Sequence, residues 1–314
     1  MIIALDAASK IDPTGTGAIR RRFLAEMVRR FNRIKALVRE AVVGMDVLGL
    51  AGQRTAAQGI GAMQFMRAFA AVAPRRIGDQ APGREAFAFN WSGDKVAAFM
   101  EWLKLEQGAE VLGVSTGTPL RMAASSSWMN IYLDSAYQKG MRDAAARMRG
   151  SGAQVGEGWV GGGFNRAVHA DRVGLIYTRA YSELDGITAA MDQQISRLLA
   201  QGIAEGLNPN QMAREMAKTI DGISRNRAQV LARTEVISAH AEASLNTYQE
   251  AGVEGVEVES EWSTAGDDRV CPECEANEGQ VFTLEEAHGM IPLHPQCRCA
   301  WLPRIVNGTG IVLQ

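Results

Sequence analysis

The chain has 314 residues, 46% of them hydrophobic and 6% aromatic, with 33 basic against 35 acidic residues for a formal net charge of −2. That length can bury a full core and points to two domains, or to one domain with helical extensions. The near-neutral balance excludes nucleic-acid binding by bulk electrostatics, and no apolar run approaches the ~18 residues a membrane span requires.

Few aromatics beside abundant Ala, Met and Gly favour helices over a β-sandwich. Ile19, Phe23, Met27, Phe31, Ile34 and Val38 recur at spacings of three and four, so residues 19–43 form a helix with one apolar stripe. Around the stripe stand Arg20, Arg21, Arg22, Arg29, Arg30, Arg33, Lys35 and Arg39, opposed there mainly by Glu26 and Glu40. Two readings are open: a solvated face balanced elsewhere in the fold, or a docking helix for DNA phosphate or an acidic protein surface. Residues 47–90 are irregular, with Gly49, Gly52, Gly59 and Gly61 loosening a weak helical pattern and Pro74 and Pro82 bounding a loop. Ser92 or Asp94 caps a helix over 93–111, and another covers 126–149. The Gly-rich stretch from Gly150 to Gly163 is a linker or ordered loop; with no preceding strand and no Gly-Lys-Ser/Thr it is not a phosphate-binding loop.

From residue 170 onward the helical signal strengthens. One helix starts at Asp171 and runs through Leu184; a further one runs from Ile187 to Leu199. Asn208-Pro209 is an N-cap with proline at the first helical position, opening Pro209–Thr219, and Ser224 caps the next helix, which stops near Gly252. The period then changes: Val256 to Trp262 alternates strictly, as a half-buried strand does, and residues 280–284 and 300–302 supply two more short β candidates.

All four cysteines of the chain lie in this tail, as Cys271-Pro272-Glu273-Cys274 and His294-Pro295-Gln296-Cys297-Arg298-Cys299. Cys-x₂-Cys places two sulfurs on one turn; the second group adds two sulfurs and one imidazole, so five candidates compete for four tetrahedral positions on a soft ion, zinc. Disulfides need an oxidising compartment, and the chain begins MIIALDAASK, without a signal peptide's basic and long apolar regions. A thioredoxin-like redox pair needs a following helix, where this sequence reads as a loop. The four cysteines are the favoured set, with His294 a close alternate; His288 reads as loop. With every position filled by protein, the site is structural, and it staples strands too short to build a core of their own. The fold class is mainly α with a small C-terminal β-rich, zinc-stapled subdomain. Its parts are a helical region over 1–150, a Gly-rich linker over 151–164, a helical part over 165–252 and the β-rich tail over 253–314.

Arg233-Thr234-Glu235, Asn246, Tyr248, Trp262-Ser263-Thr264, Asp267-Asp268-Arg269, Gly279 and the two donor groups, in that order, carry a resemblance. Over roughly residues 165–305, and most densely over 262–299, the chain resembles the C-terminal domain of the phage Mu F-like head morphogenesis family, also called minor head proteins. That resemblance implies a non-enzymatic virion protein of a tailed phage or prophage, present in few copies. It implies association with the portal protein, and with the major capsid protein or scaffold, during capsid assembly in the host cytoplasm. It further implies a place at the capsid interior or portal vertex and a role in the fate of packaged DNA at ejection. Arg20, Arg21, Arg22, Arg29, Arg30 and Arg33 are the residues through which DNA would be met.

The residues offer no nucleophile or acid–base pair. His169 and His240 are isolated. Arg233 and Glu235, two apart on a helix, point about 200° away from each other, so Arg233 is expected to reach a carboxylate of the β tail. Asp267 and Asp268 suit a turn and the neutralisation of Arg269 or Arg298. The competing class is an enzyme, because the Mu F-like domain has been grouped with ADP-ribosyltransferase-like folds and occurs fused to toxins. Glu257-Val258-Glu259 and Glu259-Ser260-Glu261 have the bare Glu-x-Glu spacing, which an alternating strand produces trivially. A zinc nuclease would need a second, open metal site, for which the four histidines are too scattered.

Overall fold

The computed structural model describes residues 12–51, 92–115, 117–156, 159, 167–307 and 312–313. Over them the chain is mainly helical with a small antiparallel sheet toward its C-terminal end, the fold class expected from the periodicities. Most of the irregular stretch over 47–90, the side chains of Ser92 and Asp94, and the Gly161–Gly163 run lie outside the described residues. No described helix is long and apolar enough to cross a membrane. The chain divides into two compact units, each discontinuous in sequence: residues 1–25, 119–182 and 229–314 in the first, and 26–118 and 183–228 in the second.

The apolar stripe dictates the first helix. In α1 (Gly17–Arg39) Ile19, Phe23, Met27, Phe31, Ile34 and Val38 are all buried, and a π turn over Glu40–Gly44 extends it. α2 (Ser92–Gln107) likewise runs into a π turn, Gly108–Leu112, and ends on left-handed Gly113. A short helix α3 (Leu120–Ser125) precedes α4 (Asn130–Gly150) where one helix over 126–149 was expected. The serine run 125–127 breaks the backbone, and the Asn130 amide donates to the carbonyls of Ala124 (2.9 Å) and Ser125 (3.0 Å), capping the first helix as the second begins.

Two expected breaks are absent. α5 runs unbroken from Ala167 to Ala204 and α6 from Pro209 to Val253. Asp185-Gly186 costs α5 only propensity, because they lie on its exposed face while Leu184 and Ile187 continue the buried stripe. Ser224 does not cap: its hydroxyl donates to the Asp221 carbonyl at 3.3 Å, so it is satisfied inside the helix. The expected cap at Asn208 is present and reciprocal. Gln211 N–H donates to Asn208 Oδ1 and Asn208 N–H to Gln211 Oε1, each at 3.0 Å.

In the second unit Phe31, Ile34, Phe99, Leu103, Met191, Ile195, Met212 and Ile220 are buried. In the first, β2 (Glu257–Ser263) is the centre of a sheet ordered β3-β2-β4, with β3 (Val281–Phe282) and β4 (Ala300–Asn307) both antiparallel to it. Trp262 stands opposite Trp301 in register, their rings edge to face at 5.3 Å, with Phe282 against Trp301 at 5.8 Å. These rings share one apolar cluster with Ala144 and Met148 of α4 and Ile237, Leu245 and Tyr248 of α6. The sheet therefore borrows a core from the helices instead of depending on a staple alone. Arg147 ties it down, donating to the carbonyls of Trp301 (2.8 Å) and Pro13 (2.6 Å). A further strand pair, β1 (Gln154–Val155) with β5 (Val312–Leu313), is parallel, and its first strand lies in the stretch expected to be linker.

α4 and α6 approach closely at Gly140. A Cβ there would lie 2.4 Å from the His240 carbonyl oxygen, nearer than real Cβ atoms come. Buried polar groups line the same helix pair. His240 Nε2 meets Asp143 Oδ2 at 2.9 Å, and the Tyr137 hydroxyl meets His169 Nδ1 at 2.7 Å while accepting from Asn246 at 2.8 Å. His169 and His240, isolated in the sequence, are core groups with polar partners.

Candidate metal centre

The donors sit between Ser263 at the end of β2 and Ala300 at the start of β4, which pair in register. The first pair is built by a helical turn. Cys271 is the N-cap of α7 (Pro272–Glu275), with proline at the first helical position, and its sulfur accepts the Cys274 N–H at 3.4 Å. That geometry turns both sulfurs to one side. Next come β3 and α8 (Leu284–Ala287), the latter opened by a capping box between Thr283 and Glu286. Residues 280–284 were expected as strand; only Val281–Phe282 pair, because Thr283 starts the helix. The second donor group is a tight turn: the Cys297 N–H donates to the His294 carbonyl at 3.1 Å, and Gln296 takes a left-handed backbone, φ +67°.

The two turns bring all five expected donors into contact. His294 Nε2 lies 3.1 Å from the sulfurs of both Cys271 and Cys274, and Cys274 Sγ lies 3.9 Å from Cys297 Sγ. Cys271, Cys274 and His294 form one group within 4.8 Å, and Cys274, Cys297 and Cys299 another. Cys274 is common to both. Zinc–sulfur bonds of about 2.3 Å give tetrahedral sulfur–sulfur edges of about 3.8 Å, close to the Cys274–Cys297 separation. His294 Nδ1 lies 2.8 Å from the Pro295 carbonyl, to which it donates; this leaves the Nε2 lone pair facing the sulfurs. Three of the sulfurs are buried and Cys271 is half-buried, so the donors are shielded without being sealed off.

The electrostatics of the donor set ask for a cation. Burial, then the charge of Cys297, pushes the Cys274 thiol up to about 12. A hydrogen bond from Cys299 pulls the Cys297 thiol well down, while the same bond and burial push Cys299 far up. The Cys274 N–H holds Cys271 below its usual range. Several thiolates cannot share this space unless a positive ion compensates them, and soft sulfur with one imidazole selects zinc-like ions over calcium or magnesium. The residues fit a structural zinc ion.

Around the donors the expected carboxylate role falls to Asp267. It takes Arg298 through two hydrogen bonds, 2.5 and 2.6 Å, takes Arg269 at 2.9 Å, and accepts the Arg269 N–H as well. Hydrogen bonding to Arg298 holds its carboxyl far below the usual range. Arg233 does reach the tail, but not a carboxylate: it donates to the Gln296 side chain at 3.0 Å. Glu235 instead accepts from Arg179 at 2.9 Å, so the pair does diverge. His288, read as loop, anchors that loop: its Nδ1 meets Glu242 of α6 at 2.8 Å, and Glu242 also accepts the Gly289 N–H at 2.9 Å. Glu242 is the supporting residue that sequence reasoning missed, since nothing local marks a helical glutamate as the anchor of a loop 46 residues on. Tyr248, already singled out beside Asn246, donates to the Trp301 carbonyl at 3.3 Å.

The arginines of α1 are largely engaged. Arg20 pairs with Asp12, Arg29 and Arg30 with Glu26, and Arg33 with Glu110 at 2.8 Å, while Arg21 and Arg22 are exposed. Glu257, Glu259 and Glu261 line one face of β2, and Glu257 accepts from Asn307 at 2.7 Å.

Residues 193–302, from the middle of α5 into β4, match the family model described as Phage Mu protein F like protein. The match holds all five donors, Asp267, Glu242, Trp262 and Trp301. A search of curated proteins and a search of solved structures each gave no match.

Proposed function

We propose that this chain is a minor head protein of a tailed phage or prophage, a non-enzymatic assembly factor that docks to the portal as the capsid forms. The observation that carries the reading is the Phage Mu protein F like match over residues 193–302, together with a donor cluster whose positions are all supplied by protein. The centre is structural: zinc held by Cys271, Cys274 and Cys297, with Cys299 or His294 in the fourth position. When bound, the ion fixes two turns whose own apolar content is small; the residues then present Asp267, Arg298 and Arg233 in a set geometry. Docking through residues 1–150 to portal and to major capsid protein or scaffold, and an influence of the α1 arginines on packaged DNA, belong to the same proposal.

The test is co-expression of the tagged full chain with the portal and major capsid proteins of the same phage, followed by isolation of rings and particles. Recovery of the chain in few copies on rings or in particles is expected. Absence from both rejects the assembly role. Serine variants at Cys299 and glutamine at His294, compared by metal content, decide the fourth ligand.

A further inference from the structure

A single tetrahedral ion at the donor turns leaves one of the five donors idle. The donors themselves fall into two groups of three, each with its ligand atoms within 4.8 Å of one another. Cys271, Cys274 and His294 make one group and Cys274, Cys297 and Cys299 the other, so Cys274 alone belongs to both. The outer group gathers on the imidazole, whose Nε2 lies 3.1 Å from the sulfurs of Cys271 and Cys274; Cys271 and His294 are half-buried. The inner group is all sulfur and fully buried, with Cys274 Sγ 3.9 Å from Cys297 Sγ. Its three cysteines share the apolar cluster with Ala287, Ile291 and Trp301, which keeps water from that side.

We propose that the centre has a second loaded form, in which two copper(I) ions take the place of one zinc. Cys271, Cys274 and His294 hold one ion, Cys274, Cys297 and Cys299 hold the other, and the Cys274 thiolate bridges them. Two three-coordinate sites that share one donor need five, the number present, whereas a lone tetrahedral site needs four and leaves Cys299 or His294 unused. Thiolate and imidazole are ligands that soft ions select, and copper(I), soft and singly charged, is satisfied by three of them where zinc takes four. Charge does not oppose the exchange, because two copper(I) ions together carry what one zinc carries. Neither group contains a carboxylate, so calcium and magnesium find no oxygen ligands there. The second form stands on the donor geometry, whether or not zinc is the resident ion and whether or not the chain docks to a portal.

The test is anaerobic titration of the full-length protein, after zinc loading, with copper(I) supplied as its acetonitrile complex against the competing chelator bicinchoninate. Released zinc is read with pyridylazoresorcinol, and copper K-edge absorption reads the neighbours of each ion. About two copper(I) per chain are expected, with about one zinc released and a short copper–copper vector. Cys274→Ser, which removes the bridge, is expected to abolish that vector whatever copper it retains. His294→Gln, at the half-buried end, serves if Cys274→Ser loses its native circular dichroism. It is expected to weaken one copper at least about tenfold and to leave the other unchanged. A single copper taken up for each zinc released overturns the proposal and leaves the zinc centre standing. So does a pair of coppers with no vector between them, or a vector that survives Cys274→Ser. Two bridged coppers in a protein that takes up no zinc on loading would remove the zinc reading and keep this one.

Discussion

Replacing Gly140 with alanine is expected to destabilise the protein, against the ordinary rule that alanine improves a helix. The added Cβ would stand 2.4 Å from the His240 carbonyl oxygen, 2.8 Å from Ala243 Cβ and 3.0 Å from His240 Cα. Two of these three atoms are backbone of α6 and cannot rotate away, so relief requires α4 and α6 to part by nearly an ångström. A gap of that size forfeits a quarter to a half of each dispersion contact along the seam, and overpacking of this kind costs about 1–3 kcal/mol. The same seam holds the Asp143–His240 contact at 2.9 Å, which would stretch with it. Two immovable backbone atoms put the cost at the upper end of that range, so against about 1 kcal/mol of helix propensity gained the net loss is about 1–2 kcal/mol. Gly186 and Gly222 make the control: both are mid-helix with nothing within 4 Å of the added Cβ, so alanine there should stabilise by about 1 kcal/mol. Urea denaturation followed by far-UV circular dichroism reads all three. A Gly140→Ala protein as stable as wild type would refute the close-approach reasoning.

Metal analysis of the purified protein should return about one zinc per chain. Cys274→Ser, which touches both donor groups, should lose more metal than Cys271→Ser. Hydrogen exchange should then accelerate across residues 264–299 while α6 stays protected, since zinc contributes on the order of 10 kcal/mol in small peptides and the helices keep their own core. A metal-free protein with that segment fully protected would remove the centre. Burial raises the Asp192 carboxyl to about 6 although a Gln107 hydrogen bond and Lys104 pull the other way. A raised carboxyl means the folded state holds its proton longer, so this group's penalty is absent below about pH 4 and develops as pH rises through about 6. Asp192→Asn should therefore exceed wild type by about 1 kcal/mol at pH 7, after allowance for solvent screening, and match it below pH 4. A pH-independent difference between the two would show that the carboxyl is not the source.

How far residues alone carry the argument depends on the range of the interaction. The α1 stripe, the alternation from Val256 to Trp262, the Asn208 cap and the donor spacing are all local, and each is found where its period or turn chemistry puts it. Asp185-Gly186 and Ser224 misled for the same reason. Their local preference for ending a helix is a matter of about 1 kcal/mol, which burial of the flanking apolar residues exceeds. The pairing of Gln154–Val155 with Val312–Leu313 has no local signature at two residues a strand. Nor has the reach of Glu242 to His288, or the choice of Gln296 over a carboxylate by Arg233; these are set by which loops the fold lays side by side.

The registry of Ser263 with Ala300 makes the donor segment a closed excursion of the sheet. Its two ends leave the sheet from facing positions, so residues 264–299 form one excursion between paired strands, which returns midway to add β3 along the other edge of β2. Loop-closure entropy grows only slowly with length, and the ladder has already met it. Only the turns outside β3 and the buried Ala287 and Ile291 can change length or surface while the β2–β4 ladder and the core beneath are kept. Replaced by a two-residue Asn-Gly turn, the excursion should keep the β2–β4 register but strip β3, Phe282, Ala287 and Ile291 from the core, so the protein is expected to lose stability as well as its ion.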